Sequence, residues 1–347
     1  MDRLRGRLEQ VEAASFLVSN PVNVRYLTGF QSSNAFLLVK HTQVLLLTDG
    51  RYIEAARGVE GVEAVLVDRG FTPGVASRLP ELAETPVAFE ADHLTVDRHA
   101  VLASAALELM PTSGVVLELR AVKEPAELDE IRRAARILND VYERMAAQSL
   151  VGRTEGEVAW WFERTLHEEG ADALAFDVTV ASGPNAAFPH HHTGARKIAA
   201  GETVVVDAGA KVDGYCSDCT RTFATGPLPD ELRRAYATCR AAQESALSGV
   251  KANADARGLD DLARAEIVDG GFEVLHGLGH GVGLEVHELP VLRATAQGSL
   301  EAANVVTVEP GVYLAGQGGV RIEDLVIVTE NGAEVLTPFT KELLTLD

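Results

Sequence analysis

The stretch TVVVDAGAKVDGYCSDCTRTF, residues 203–223, decides how this chain folds. An apolar run ends at Asp207, a turn follows at Val212, Asp213 and Gly214, and a second run leads through Asp218 to Phe223. Two strands around a tight turn make an antiparallel hairpin, in which facing residues share a constant index sum. A loop of even length makes that sum odd, which places Asp207 and Asp218 on one face as near neighbours. Asp207 follows three valines and should lie at a buried strand end. Two like charges so close cannot both stay ionised without a compensating cation. On this hairpin alone, one buried, hydrogen-bonded aspartate beside one exposed turn aspartate is the competing reading.

A second hairpin weakens that alternative. VVTVEPGVYL, residues 305–314, and GGVRIEDLVIV, residues 318–328, repeat the arrangement with glutamates. An odd loop centred near Gly316 would set Glu309 and Glu323 opposite each other on one face. Burying an unpaired carboxylate costs several kcal/mol, so two strand-borne acidic pairs are hard to explain as architecture alone. Between the hairpins, HGLGHGVGLEVHE, residues 276–288, holds three histidines among four glycines. Glycine allows close backbone approach, and neutral imidazole is a common ligand for transition metals. Four carboxylates carry a charge that two divalent ions balance, and oxygen ligands with one histidine suit Mn, Co, Zn or Fe better than Ca. A dinuclear hydrolytic site is the economical reading.

Two other motifs point elsewhere. Cys216 and Cys219 have C-x-x-C spacing, but on a strand residues three apart face opposite ways, and no second cysteine pair completes a zinc site. His190, His191 and His192 follow Pro189, and adjacent side chains cannot all converge on one ion, so one or two at most should reach a site.

Outward from these motifs the chain reads as two domains. Residues 1–122 alternate short β-branched runs (FLV, AFLLV, QVLLL, AVLV) with helix-like stretches at 52–57, 72–82 and 96–107, an α/β pattern. From residue 123 to 347 the texture changes. Pro125 suits a first helical turn, and Leu128, Ile131, Ala135, Leu138 and Val141 follow at steps of three and four. Thr154 with Glu157 is a capping box for a helix to about residue 169. Helices are expected again at 229–251 and 259–269, so a helix pair followed by a hairpin occurs twice, which hints at a duplicated α/β unit. The 347 residues carry a net charge of −20, which repels phosphate backbones and anionic lipid and disfavours nucleic-acid partners and a two-metal nuclease or phosphatase. No apolar run is long enough to cross a bilayer, the first ten residues lack a signal-peptide core, and three cysteines fit a reducing compartment. A cytoplasmic protein without a membrane partner is expected.

The ordered residues Asp207, Asp218, His280, Glu309 and Glu323, set in VVDAGA, YCSDCTRTF, GLGHGVGLEVHE, VEPGVY and GGVRIED, resemble the pita-bread metallopeptidases: methionine aminopeptidase, aminopeptidase P and prolidase. The resemblance covers essentially the whole chain. It implies a small creatinase-like α/β domain ahead of a pita-bread catalytic domain built from a duplicated α/β unit. It also implies two divalent metals (Mn, Co or Zn), with Asp218 and Glu323 shared between them, Asp207 completing one, and His280 and Glu309 the other. Three features favour the proline-specific branch: the additional N-terminal domain with NPVNVRYLTGF, the VKEPAELDEIR linker helix, and Arg321 in GGVRIED. By the same resemblance His190 and His287 become proton-donating and substrate-holding residues, and His276 takes a less direct substrate-binding role. Glu309 relays a proton, Arg321 organises the pocket or pairs with a substrate carboxylate, and a homodimer is expected. The expected activity is hydrolysis of Xaa-Pro dipeptides by a prolidase, with aminopeptidase P, acting on longer Xaa-Pro peptides, as the alternative. A catalytically silent peptide-binding module on the same fold should have lost ligand positions, and all five are intact.

Overall fold

A computed structural model describes residues 2–67 and 70–347, and the chain divides between Arg120 and Ala121 into two compact units. The first unit is built on a six-stranded sheet. Its order is Glu63–Leu66, Val44–Thr48, Ala35–Lys40, Ser15–Val18, Val87–Glu90, Leu109–Thr112. Ala35–Lys40 runs antiparallel to both neighbours, and the remaining pairs are parallel. The central strands are apolar on both faces because both faces are covered. Phe16, Val18, Leu37 and Val39 belong to one core, whereas Leu17, Phe36 and Leu38 belong to another, a split that follows the two-residue period of a strand. The helix expected over 96–107 stops at Ala103, and Leu109–Thr112 forms an edge strand instead. That strand, not expected from sequence, pairs in parallel with Val87–Glu90, and Pro111 is tolerated at an edge.

The second unit repeats a helix pair and a hairpin. Pro125–Met145 and Glu155–Glu168 pack on the first hairpin through Leu138, Val141, Tyr142 and Phe162 against Val204, Val206 and Phe223. Asp230–Gly249 and Ala256–Asp269 cover the second through Ala235, Cys239, Leu259 and Ile267 against Val306, Val308 and Val326. The starts follow from sequence: Pro125 occupies the first turn, and Thr154 Oγ1 accepts from Glu157 N (3.1 Å) while Glu157 accepts from Thr154 N (2.7 Å). The Tyr142 hydroxyl lies 3.0 Å from Val206 O and 2.7 Å from Cys219 O, tying its helix to both strands of the first ladder.

Each hairpin keeps one register along its whole length while passing from one sheet to another. In the first, Asp207 faces Thr220 in the main ladder, and Lys211 faces Cys216 at the tip, with the same odd index sum. Asp213 and Gly214 both have positive φ (41° and 78°), as a two-residue hairpin turn with the right twist requires. In the second, Val308 faces Asp324 in one sheet and Gly311 faces Arg321 in another, again with one sum. The breaks between ladders fall near Asp218 in the first hairpin and at Glu309 and Glu323 in the second. There the backbone no longer pairs continuously, and acidic side chains can turn toward a common space. Among the described residues no helix is long and apolar enough to cross a membrane.

Candidate metal centre and substrate cleft

That common space is a cavity of about 550 Å³ in the second unit. Its wall contains all nine residues singled out from sequence: His190, Asp207, Asp218, His276, His280, His287, Glu309, Arg321 and Glu323. One possible ligand atom from each of Asp218, His280 and Glu323 lies within 4.8 Å of the others. His280 Nε2 stands 3.1 Å from Glu309 Oε1 and 3.8 Å from Asp218 Oδ2. Thr307 joins two of these groups: its hydroxyl donates to Glu309 (3.0 Å) and accepts from the backbone N of His280 (3.0 Å). That contact requires glycine at 279, since a Cβ there would sit 2.1 Å from Thr307 O.

The electrostatics are those of a site short of positive charge. Burial, reinforced by the neighbouring carboxylates, pushes Asp218 and Glu323 well above the usual carboxylate range. Burial also raises Asp207, against the pull of Arg321. For Glu309 burial acts upward too, but the His280 hydrogen bond and the charges of His280 and Arg321 hold it down to about 2. Burial lowers His276 and His287, and His280 adds to the lowering of His287. Asp207 Oδ1 and Glu323 Oε1 are buried without a hydrogen-bond partner among the described residues. Buried carboxylate oxygens are rarely left so, and a divalent cation answers both the unmet acceptors and the excess charge. Oxygen donors with one imidazole suit a borderline cation.

Arg321 is already engaged. Its nitrogens donate to Asp207 Oδ2 (2.7 Å), Thr220 Oγ1 (3.1 Å), Tyr313 Oη (3.2 Å) and Pro189 O (3.3 Å). Thr220 in turn donates to Glu323 Oε2 at 2.7 Å, and His276 Nε2 lies 2.9 Å from the Tyr313 hydroxyl. Among the cleft residues not singled out from sequence, two bear on substrate binding. Phe176 adds an apolar wall, and Arg293 is an exposed rim cation whose guanidinium makes no ion pair or hydrogen bond among the described residues. Arg293 carries no local motif that separates it from any surface arginine. Cys216 and Cys219 lie in different cores, and burial raises both thiols, Cys216 to about 11. Of the histidine run, His190 lines the cleft and His191 turns away to Glu155.

A duplicated helix-and-hairpin unit enclosing buried carboxylates and imidazoles defines a metallohydrolase centre. The comparisons carry this further. Residues 129–330 match metallopeptidase family M24, and residues 1–122 match the creatinase/prolidase N-terminal domain. The chain belongs to family M24 and has its pita-bread fold. An uncharacterized peptidase, YqhT, of Bacillus subtilis (strain 168) is 34% identical over 100% of this chain and 99% of its own. An Xaa-Pro dipeptidase from Bacillus anthracis superposes with a TM-score of 0.95 at 36% identity, covering 99% of this chain and 98% of that one. An X-Pro aminopeptidase from Thermotoga maritima MSB8 superposes with a TM-score of 0.87 at 33% identity, covering 98% and 99%. The chain is thus a metal-dependent peptidase.

Proposed function

We propose that the chain is a prolidase: a metal-dependent exopeptidase that hydrolyses the imide bond of Xaa-Pro dipeptides, with residues 1–122 as an accessory domain and 123–347 as the catalytic one. The observation that carries the reading is the single cleft lined by five ligand-type residues and three further histidines. The similarity to the B. anthracis dipeptidase supports the substrate. Asp207, Asp218, His280, Glu309 and Glu323 would hold two divalent ions, with Mn, Co or Zn compatible with the donors. When bound, such ions supply a Lewis acid for the scissile carbonyl and a water acidified toward neutral pH.

The chain's own groups do the rest. Glu309, kept ionised beside His280, accepts a proton and relays it. His287, its ring centroid 4.3 Å from that of His280, and His190 face the same cleft, where they can donate to a developing oxyanion or the departing proline nitrogen. Phe176, Val286 and Val291 offer apolar contact to the substrate. Arg321 organises the cleft by holding Asp207, and its bonds leave Arg293 as the better partner for a free proline carboxylate. Three buried free cysteines suit a reducing, cytoplasmic setting, and the homodimer rests on the family resemblance alone.

The test is turnover by Mn-loaded protein of an Xaa-Pro dipeptide, its C-terminal amide and an Xaa-Pro-Xaa tripeptide. Removing the carboxylate should lower kcat/KM more than tenfold, since a charge-assisted contact contributes about 1.5–3 kcal/mol. Equal or better cleavage of the tripeptide would make the enzyme an aminopeptidase, a second reading favoured by its similarity to the T. maritima enzyme.

A further inference from the structure

His190 reaches the cleft from an irregular segment, and the segment is tied down on either side of it. On the N-terminal side Pro189 O accepts from Arg321. On the C-terminal side His191 Nε2 lies 3.0 Å from Glu155 Oε2, and Thr193 Oγ1 donates to Val178 O (3.0 Å) while accepting from Val180 N (2.8 Å). Glu155 is fully buried at the start of its helix. Its other oxygen accepts from Ser182 N, Ser182 Oγ (both 2.8 Å) and Asn185 Nδ2 (3.0 Å). These donors belong to the strand and short turn that lead into the histidine run. One carboxylate thereby gathers both ends of the excursion that carries His190. Burial alone would raise Glu155, but its hydrogen bonds from Ser182, Asn185 and His191 outweigh that and hold it below the usual range, as a carboxylate acceptor.

We propose that His191 and Glu155 form a positioning pair that aims the His190 imidazole into the cleft. The inference rests on the role given to His190 above. The middle residue of the histidine run is then neither a metal ligand nor a catalytic group. It turns away from the cleft so that its neighbour can face into it, and the buried carboxylate fixes the direction of that turn.

The experiment uses the Mn-loaded full chain with an Xaa-Pro dipeptide. His191→Ala should lower kcat roughly tenfold or more, as displacement of a reacting group does, with KM within about threefold and bound metal unchanged. His191→Gln, whose amide can donate near the position of Nε2, should recover most of that loss. In a His190→Ala background, His191→Ala should cost less than about twofold further, because there is no longer an imidazole to aim. Wild-type kcat in His191→Ala, no rescue by glutamine, or a full additional loss in the His190→Ala background would overturn the pair. Wild-type turnover in His190→Ala itself would instead remove the role of His190, and the pair with it. A defect in His190→Ala with additive loss overturns the pair alone. Should His191→Ala fail to fold, His191→Gln and Glu155→Gln in the two backgrounds give the same comparison.

Discussion

Asp207, Asp218, Glu309 and Glu323 face one cavity with Arg321, already bonded to Asp207, Arg293 at its exposed rim, and His280, whose proton affinity the Glu309 contact raises against burial. Side chains that hold cations and side chains that handle substrate should therefore separate in experiment. Asp218→Asn, Glu323→Gln and His280→Ala should each lower bound metal on elemental analysis. His287→Ala and His190→Ala should keep it while losing about a hundredfold in kcat, the usual scale for a general acid or an oxyanion donor. Equal metal loss in all five variants would contradict the division. The two arginines should differ as well. Arg293→Ala, at the exposed rim, should raise KM for a dipeptide by about three- to tenfold and leave a tripeptide nearly unaffected. Arg321→Ala frees a buried Asp207 and should reduce folded protein and metal together.

Strands and loops place these groups through contacts that tolerate little change in volume. Gly279 and Gly281 let the histidine strand approach its neighbours: a Cβ would come within 2.1 Å of Thr307 O at one position and 2.2 Å of Leu289 O at the other. Because the first obstacle is backbone on the strand that leads to Glu309, Gly279→Ala should separate His280 from Glu309 and Thr307. A loss of about 1–3 kcal/mol in unfolding free energy together with weakened metal binding is expected. Gly332→Ala, where a side chain meets nothing within 4 Å, serves as the control and should change stability by less than about 0.5 kcal/mol. Thr154→Ala removes the acceptor of a capping box and should cost about 1 kcal/mol, read from denaturant melts.

For the whole molecule, metal binding and folding stability are linked through the buried acids. In metal-free protein Glu323 holds its proton to a higher pH than in the unfolded chain, where glutamate titrates at about 4.3. Above that pH the folded state binds more protons than the unfolded state, so this group's contribution to stability falls as pH rises. Glu323→Gln removes that dependence. In chelator, the melting temperature of the variant relative to wild type should rise between about pH 4 and pH 8. With Mn present the order should reverse, since the variant has lost a ligand. A difference between the two metal-free proteins that does not change with pH would contradict the electrostatic account.

Loop parity, caps and the spacing of apolar residues act within a few tens of residues, and they sufficed to put each acidic pair on one hairpin and to start the first helix pair. The match of VVDAGA, GLGHG and VEPGVY to a known family added the order of the five ligand positions. Longer reach was needed for the rest. Arg321 bonds Asp207 across 114 positions of chain, a contact that supports the proposal that it braces the cleft. The edge strand Leu109–Thr112, just beyond the helix expected over 96–107, exists because a parallel partner is available. His191 differs from His190 only in what lies opposite, a buried Glu155 on one side and the open cleft on the other. Sequence determines which groups share a ladder, because a ladder is set by local geometry. Which cation or acid each group finally meets is decided by packing between segments far apart in the chain.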